Sequence, residues 1–285
     1  MSPESVHHVL GGFALVLGLV VGSFLNVVIA RLPEDRSVVW PGSACPACGT
    51  PIKPYDNVPV LAWMWLRGRC RACHSPISPL YPVIELLTGL VAWLLFQRVV
   101  TGPEHYDLPH LAAFLVAFLF AAALIAQTFI DVRHYIIPDE LSVYAVPFGV
   151  AAGALLAWLG YDGPLLAVGW QDSVVGALAG GGVLGSVMGL YWLVRREEGM
   201  GFGDVKLLAM MGAFLGALPA VPFVLFVASV AGALVGVPLA LLRGQGLRAA
   251  LPFGPFLALA GMLWLLHGPE LIQRWFPGVG MVLGL

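Results

Sequence analysis

The chain has 285 residues, of which 59% are hydrophobic and 11% charged; its formal net charge is −2 and its mean hydropathy is +0.90. A water-soluble domain needs more polar residues than this to cover its surface, so the composition excludes a soluble globular protein. The near-neutral net charge excludes little, because in a membrane protein the position of each charge matters more than the sum.

Eight apolar stretches separated by polar segments predict an all-α polytopic membrane protein with about eight transmembrane helices. The first stretch follows Met1-Ser-Pro-Glu-Ser, which lacks the basic segment of a cleaved signal peptide, so we expect a retained span. Because a span needs roughly 20 residues, the sixth and eighth helices are predicted to be short. The predicted helices are 9–30, 83–100, 111–130, 140–160, 173–194, 205–218, 221–242 and 252–267.

The basic residues predict the orientation of these spans. With the N-terminus outside, twelve of the 14 Lys and Arg residues fall in inside segments, and only Arg98 and Arg274 fall outside. This bias predicts that the end of the third span and the start of the sixth lie at the cytoplasmic face. We divide the chain into a first transmembrane helix (1–30), a cytoplasmic region (31–82) and a membrane core (83–285).

The cytoplasmic region holds all four cysteines, in two C-x-x-C pairs. Two such turns that face each other offer four thiolates in a tetrahedron, which is the arrangement of a structural zinc site. Two disulfides or free thiols are the alternative, and a cytoplasmic location disfavours disulfides. Gly49 suits the positive φ that follows such a turn, whereas His74 fits that place in the second copy less comfortably. The candidate ligands are Cys45, Cys48, Cys70 and Cys73.

The third predicted span ends on Asp131 and is followed by Pro138, Asp139 and Glu140. Pro138 suits the first turn of the next helix. Asp139 and Glu140 suit the positive end of its dipole, which is a sufficient structural explanation for both carboxylates. Asp131 has no such explanation, because negative charge is unfavourable at the C-terminal end of an apolar helix. We therefore take Asp131 as a candidate functional residue.

Glycines recur four residues apart in the fifth span, between Gly176 and Gly189, and again at Gly18 and Gly22. Small residues at this spacing let helix backbones approach closely in lipid. The pattern therefore predicts tight helix packing rather than a catalytic role.

A glycine-rich loop precedes the sixth span and leads into Asp204. Gly201 and Gly203 allow positive φ and close backbone approach just before a helix. Asp204 is either the N-cap of that helix or a functional carboxylate. A phosphate-binding loop is disfavoured because the Walker pattern is absent. We assign Gly201, Gly203 and Lys206 to the support of this loop.

Taken together, Asp131 and Asp204 are candidates for a catalytic pair. Two carboxyl groups about 3 Å apart cannot both ionise at neutral pH, so one keeps a proton while the other stays charged. The ionised member can take a proton from water, and the protonated member can bind the scissile carbonyl oxygen. The sequence does not assign the acid role, because such a pair titrates as a unit.

The ordered set of motifs resembles the type 4 prepilin peptidase family along nearly the whole chain. The set comprises the G-x-G-D box at 201–204, the D-x6-P-D segment at 131–139 and the paired cysteines. It also includes the segments Gly22–Pro33, Tyr81–Glu85 and Pro252–Phe256. A lone G-x-G-D would be weak support, but the set in its order is strong.

The resemblance implies a bifunctional enzyme of the bacterial inner membrane. Such enzymes cleave basic leaders from prepilins and pilin-like secretion-system subunits after a glycine, and many then methylate the new N-terminus with S-adenosylmethionine. The catalytic aspartates of the family correspond to Asp131 and Asp204. Gly68 matches a glycine associated with methyl transfer, and Glu85 is a second candidate there, with a helix–helix hydrogen bond as its alternative role.

Two other functions compete with this interpretation. An ion-coupled transporter also uses intramembrane carboxylates, but it predicts broken helices at the midplane rather than aspartates at the membrane edge. A membrane-anchored zinc ribbon that binds nucleic acid would use Arg67, Arg69 and Arg71. Those arginines already follow from the positive-inside bias, so we expect no nucleic-acid partner.

Overall fold

The computed structural model describes residues 2–197, 200–243 and 252–278. Within these ranges the chain forms nine α-helices and four short 3-10 helices, and its only β-structure is two isolated bridges. The predicted all-α class is confirmed. The α-helices are α1 (Pro3–Arg31), α2 (Leu61–Trp65), α3 (Leu80–Val99), α4 (Leu108–His134), α5 (Ala145–Leu159), α6 (Trp170–Arg195), α7 (Phe202–Leu215), α8 (Ala220–Arg243) and α9 (Gly254–Trp275).

Seven of the described helices are long and apolar enough to cross a membrane: α1, α3, α4, α5 with the turn before it, α6, α8 and α9. The protein is therefore a multi-pass membrane protein. The predicted helix 205–218 corresponds to α7, which has 14 residues and a length of about 21 Å. It is too short to span the hydrocarbon core, as predicted. It is largely enclosed by α5, α6, α8 and α9, so it does not need to reach both surfaces.

The prediction that the eighth span is short is wrong. Its helix, α9, has 22 residues and continues to Trp275. Gly268 and Pro269 follow the predicted boundary at residue 267. In the structure the helix continues through Pro269, and Gly268, Pro269 and Ile272 are all buried. Packing against neighbouring segments stabilises this helix despite the missing proline N–H donor. Arg248, one of the twelve residues assigned to the inside, lies outside the described residues.

The chain forms two compact units, the first made of residues 1–107 and 118–126 and the second of 108–117 and 127–285. In the first unit α1 packs antiparallel against α3. A Cβ added at Gly18 would come within 2.7 Å of the Gly89 Cα, and one at Gly22 within 2.7 Å of the Glu85 Cα. No side chain fits there, so these glycines permit the close packing that their spacing predicts.

The second unit is built around α7. A Cβ at Gly176 would collide with the Gly212 carbonyl of α7, and one at Gly180 with the Leu208 carbonyl. Backbone therefore meets backbone along the antiparallel pair of α6 and α7, which confirms the predicted close packing at Gly176 and Gly180. Nine of the 14 residues of α7 are buried, Met210 and Met211 completely.

Candidate functional site

Asp131 lies in the last turn of α4, as the sequence predicts, and the residue is only 6% exposed. The helix ends just beyond it, because Tyr135 adopts a left-handed conformation with φ 56° while its N–H still bonds to the Asp131 carbonyl. The backbone N–H of Gly254, at the start of α9, donates a hydrogen bond to the Asp131 carboxylate. A buried carboxylate is thus held by one backbone donor at the junction of two helices.

Asp204 lies in the first turn of α7 and is 8% exposed. It is not the N-cap: Gly201 occupies that position with an extended backbone, and its carbonyl accepts the Asp204 N–H. The capping role that the sequence left open for Asp204 is therefore not the one it has. The charge of Asp131 acts on the Asp204 carboxyl, so the two groups lie within electrostatic reach of each other.

A buried isoleucine joins the segments that carry the two aspartates. A Cβ added at Gly203, next to Asp204, would lie 3.2 Å from the Ile137 Cβ. A Cβ at Gly254 would lie 3.2 Å from the Ile137 Cδ1 and would also collide with the Asp131 carboxylate. Ile137 therefore packs against both glycines, and the lack of a side chain at each lets α7 and α9 approach the end of α4.

The segment after Ile137 differs in one detail from the sequence prediction. Pro138 is buried and extended (φ −60°, ψ 140°), and it precedes a 3-10 helix, Asp139–Leu141, instead of lying in the first turn of α5. Proline lacks the N–H donor, so it suits this position just before a helical turn. Asp139 and Glu140 do lie in that turn, as predicted. Asp139 also forms an ion pair with Lys206 of α7.

The two cysteine pairs form two copies of the same turn, 25 residues apart in the sequence. We call these turns the first and second knuckles. The N–H groups of Gly49 and His74 donate to the carbonyls of Cys45 and Cys70 at 2.8 and 3.0 Å. Gly49 and His74 both adopt positive φ, 70° and 58°. Positive φ is easier for glycine than for histidine, so the second copy is the more strained one, as predicted.

The four thiols are placed to hold one metal ion. All four sulfur atoms lie within 4.8 Å of one another, and the Cys45 and Cys73 Sγ atoms are 3.8 Å apart. Tetrahedral zinc with Zn–S bonds of about 2.3 Å requires sulfur atoms about 3.8 Å apart. Hydrogen bonds from the Ala47 and Cys48 backbone and from the Ser75 hydroxyl lower the pKa of the Cys45 thiol to about 6. The described residues contain no other cluster of this kind.

Gly68 lies where the second knuckle joins α2. It has φ 66°; its N–H donates to the Trp63 carbonyl and its carbonyl accepts the Ile77 N–H. A Cβ here would lie 2.9 Å from the Trp63 ring. The turn and the contact with Trp63 thus account for a glycine at this position without a ligand.

Glu85, in the second turn of α3, is 7% exposed. Its Oε2 accepts the Val60 N–H at 2.7 Å, and the Ser23 hydroxyl is a second partner. Val60 has φ 63° and ψ −53°, and the Leu61 N–H reaches the Pro59 carbonyl across it at 2.6 Å. This is the rare, strained form of γ-turn, and Glu85 stabilises it. The Val60 and Ser23 partners account for Glu85, and the turn accounts for Gly68, so we derive no methyl-transfer step through either residue.

Three residues that surround Asp131 in the structure had no role predicted from the sequence. Gly254 stood in a motif that carried the family resemblance, and its position between Phe253 and Pro255 at a helix start was the available signal. Ile137 gave none, because one isoleucine in a short loop looks like any other apolar residue. Gln127 was missed as well: a buried amide one turn before Asp131 is the kind of intramembrane polar residue that indicates a functional site.

Comparison with known proteins extends over nearly the whole chain. The Bacterial Peptidase A24 N-terminal domain matches residues 16–99, and the Type IV leader peptidase family matches residues 118–237. Relatives named prepilin leader peptidase/N-methyltransferase occur in Aeromonas salmonicida at 38% identity over 93% of both chains, and in Pseudomonas aeruginosa at 33% identity over 93% of both. A relative of the same name in Burkholderia pseudomallei is 40% identical over 90% of this chain and 85% of its own.

No solved structure matches the chain. The relatives cover both the cysteine knuckles and the helices that carry Asp131 and Asp204. At these identities and over this length, the chain belongs to the type IV leader peptidase family.

Proposed function

We propose that the protein is a membrane aspartyl endopeptidase in which Asp131 and Asp204 form the catalytic pair. The observation that carries the proposal is that two buried carboxyls, distant in sequence, lie at the end of α4 and the start of α7, which Ile137 joins through its contacts with Gly254 and Gly203. Two such groups share one proton near neutral pH, which supplies a general base and a general acid in one site.

The chemistry follows from this shared proton. The ionised carboxylate removes a proton from a water molecule, whose oxygen attacks the scissile carbonyl carbon and forms a new C–O bond. The protonated carboxyl donates a hydrogen bond to the carbonyl oxygen and stabilises the negative charge that develops there. A proton is then transferred to the leaving nitrogen, and the C–N bond breaks.

We infer that the substrates are prepilins and pilin-like secretion subunits, cleaved after the glycine that ends a basic leader. The relatives are named for prepilin leader peptidase activity. The positive-inside bias agrees with this substrate, because it predicts the two aspartates at the cytoplasmic face, where a basic leader would remain. We accordingly propose a bacterial inner-membrane protein with its N-terminus outside.

We also propose N-methylation of the new N-terminus, with S-adenosylmethionine as the methyl donor, because the relatives are named N-methyltransferases. In the cysteine region, Cys45, Cys48, Cys70 and Cys73 would hold zinc. Four thiolates leave no open coordination position for water, so this zinc would be structural. It would fix the two knuckles and the segment around Gly68 that joins them to α2.

The test of proteolysis is cleavage of a full-length prepilin by the purified protein in detergent, followed by N-terminal sequencing of the product. Asp131→Asn and Asp204→Asn are each expected to abolish cleavage, because each removes one member of the proton-sharing pair. Asp162→Asn, an exposed aspartate in the same unit, is the matched control and should cleave at the wild-type rate. Normal cleavage by either active-site variant would refute the assignment.

Methylation is tested separately. The purified protein is incubated with pre-cleaved pilin and labelled S-adenosylmethionine, and the N-terminal residue is analysed for label. Label on that residue is expected; its absence with an enzyme that still cleaves prepilin would remove methylation from the proposal and leave proteolysis intact.

A further inference from the structure

We propose that Gln127, Asp139 and Lys206 are positioning residues that fix the distance between Asp131 and Asp204. They act through residues 137–142, which we name the clamp segment. This inference rests on the proposed proteolytic function and deepens it. None of the three residues needs to touch the substrate in this arrangement, because they act by holding the ends of α4 and α7 to one short piece of chain.

The first connection joins the clamp segment to α4. Gln127 is 1% exposed, and its Nε2 donates a hydrogen bond of 2.9 Å to the Leu141 carbonyl. Gln127 precedes Asp131 by four residues, so both lie on the same face of α4. A buried amide is costly unless it is hydrogen-bonded, so this bond fixes the segment relative to the helix turn that carries Asp131.

The second connection joins the clamp segment to α7. The Lys206 ammonium pairs with the Asp139 carboxylate, and Lys206 follows Asp204 by two residues. The Lys206 side chain is 20% exposed, and its Nζ lies 5.6 Å from the centre of the Phe202 ring. The Asp139 side chain is 54% exposed, so salt still weakens the pair in part. The pair ties the first turn of α7 to the same segment that Gln127 holds.

Further contacts hold both ends of the clamp segment. Ser142 is fully buried, and its hydroxyl donates to the Pro138 carbonyl at 2.8 Å. At the other end, Ile137 packs against Gly203 and Gly254. Six consecutive residues thus contact the end of α4, the start of α7 and the start of α9. Loss of one polar connection would let the two aspartates move relative to each other, and misplacement by about 1 Å can lower a rate roughly 100-fold.

A direct role for the Lys206 charge is the competing explanation, since an ammonium near Asp204 would act on the carboxyls or on the substrate without Asp139. The two explanations differ in a double-mutant cycle. If these residues act only by positioning, Asp139→Asn and Lys206→Met break the same connection. The double variant then has the same cleavage rate as the more impaired single variant. With independent roles, the two rate losses multiply.

The experiment measures steady-state prepilin cleavage by the purified full-length variants. Each single variant is expected to lower kcat about tenfold or more, with KM near the wild-type value, because the loss lies in alignment rather than in substrate binding. Lys206→Arg should retain most of the activity, because a guanidinium can pair with Asp139. Asp162→Asn removes an exposed carboxylate of the same unit outside the clamp segment and should behave as wild type.

The positioning role would be overturned if the double variant lost kcat by the product of the two single losses. A wild-type kcat in both single variants would overturn it as well. Asp131→Asn and Asp204→Asn are assayed in parallel. Cleavage by these two variants would refute the proposed function itself. If they are inactive while Asp139→Asn and Lys206→Met are fully active, only the positioning role is refuted. The unfolding temperature of each variant is recorded. If the Asp139 and Lys206 variants unfold, Gln127→Met tests the connection between the clamp segment and α4. A wild-type kcat in that variant also overturns the proposal.

Discussion

Gly254 and the Asp131 carboxylate are in such close contact that there is no room for a side chain at position 254. The Gly254 N–H binds the Asp131 carboxylate, and the same close approach excludes a side chain at position 254. The carboxylate is therefore oriented by backbone, which cannot change rotamer. Such fixed orientation is what catalysis by a paired carboxyl group requires.

Gly254→Ala is the residue-scale prediction. The added methyl group would press on the carboxylate of Asp131 and on Ile137, so cleavage should fall about 100-fold, the order expected for a displacement of about 1 Å. The measurement is kcat for prepilin cleavage. Gly182→Ala is the control, because a Cβ there has no atom within 4 Å. Equal activity in the two variants would show that the contact with Asp131 is unimportant.

At the scale of elements, the contact between α6 and α7 determines where Asp204 lies. The helices meet backbone to backbone at Gly176, Gly180 and Gly212. Because α7 is too short to be held by both membrane surfaces, its depth depends on this packing. The glycines of α6 thus act on the proposed active site without being part of it.

Gly180→Leu is expected to lower the unfolding temperature and the cleavage rate together. The side chain would overlap the Leu208 carbonyl, and overpacking of this kind costs about 1–3 kcal/mol. Thermal unfolding in detergent, followed by tryptophan fluorescence, measures the effect. Gly182→Leu on the exposed face of the same helix should unfold like the wild type. An unchanged unfolding temperature for both would contradict the packing argument.

The paired knuckles are a second element with a measurable consequence. The purified protein should contain about one equivalent of zinc, and Cys45→Ser or Cys73→Ser should reduce this sharply, since a thiolate ligand is lost. Metal analysis of the purified variants tests this. His74→Ala is the control, because His74 belongs to the turn without being a proposed ligand. Active wild-type protein with much less than one equivalent would argue against a structural zinc.

At the scale of the whole molecule, the distribution of charge and the helix lengths describe a multi-pass membrane protein. If the short α7 is counted as one pass, the chain crosses the membrane eight times. The loops between the helices then lie on the same sides of the membrane as predicted from the sequence. That count predicts the knuckles and both aspartates on the cytoplasmic side, as the positive-inside bias does.

The orientation is tested by proteolysis of membranes from both sides. A protease added to inverted inner-membrane vesicles should cut within residues 31–82, whereas an N-terminal epitope should be accessible only in spheroplasts. The epitope and the loop thereby serve as controls for each other. Cleavage of the loop in intact spheroplasts would reverse the predicted topology.

Much of the fold and part of the site were predictable from the sequence because the signals were local. Apolar runs gave the helices, glycine spacing gave two close helix pairs, and the repeated C-x-x-C gave the knuckles. Asp131 stood out because its charge opposes the helix dipole. Asp204 did not, since a carboxylate in a first turn is commonplace. The connections made by Gln127, Ile137 and Gly254 were not predictable, because each depends on contacts between residues far apart in sequence.

Single-turnover cleavage of prepilin by Asp131→Asn, Asp204→Asn and the double variant shows whether Asp131 and Asp204 act as one unit. Residues that act as a unit are non-additive, so we expect all three to show the same residual rate, roughly 1,000-fold or more below the wild type. A single variant within tenfold of the wild-type rate would show that Asp131 and Asp204 do not act as one unit. A double variant slowed by the product of the two single losses would show the same.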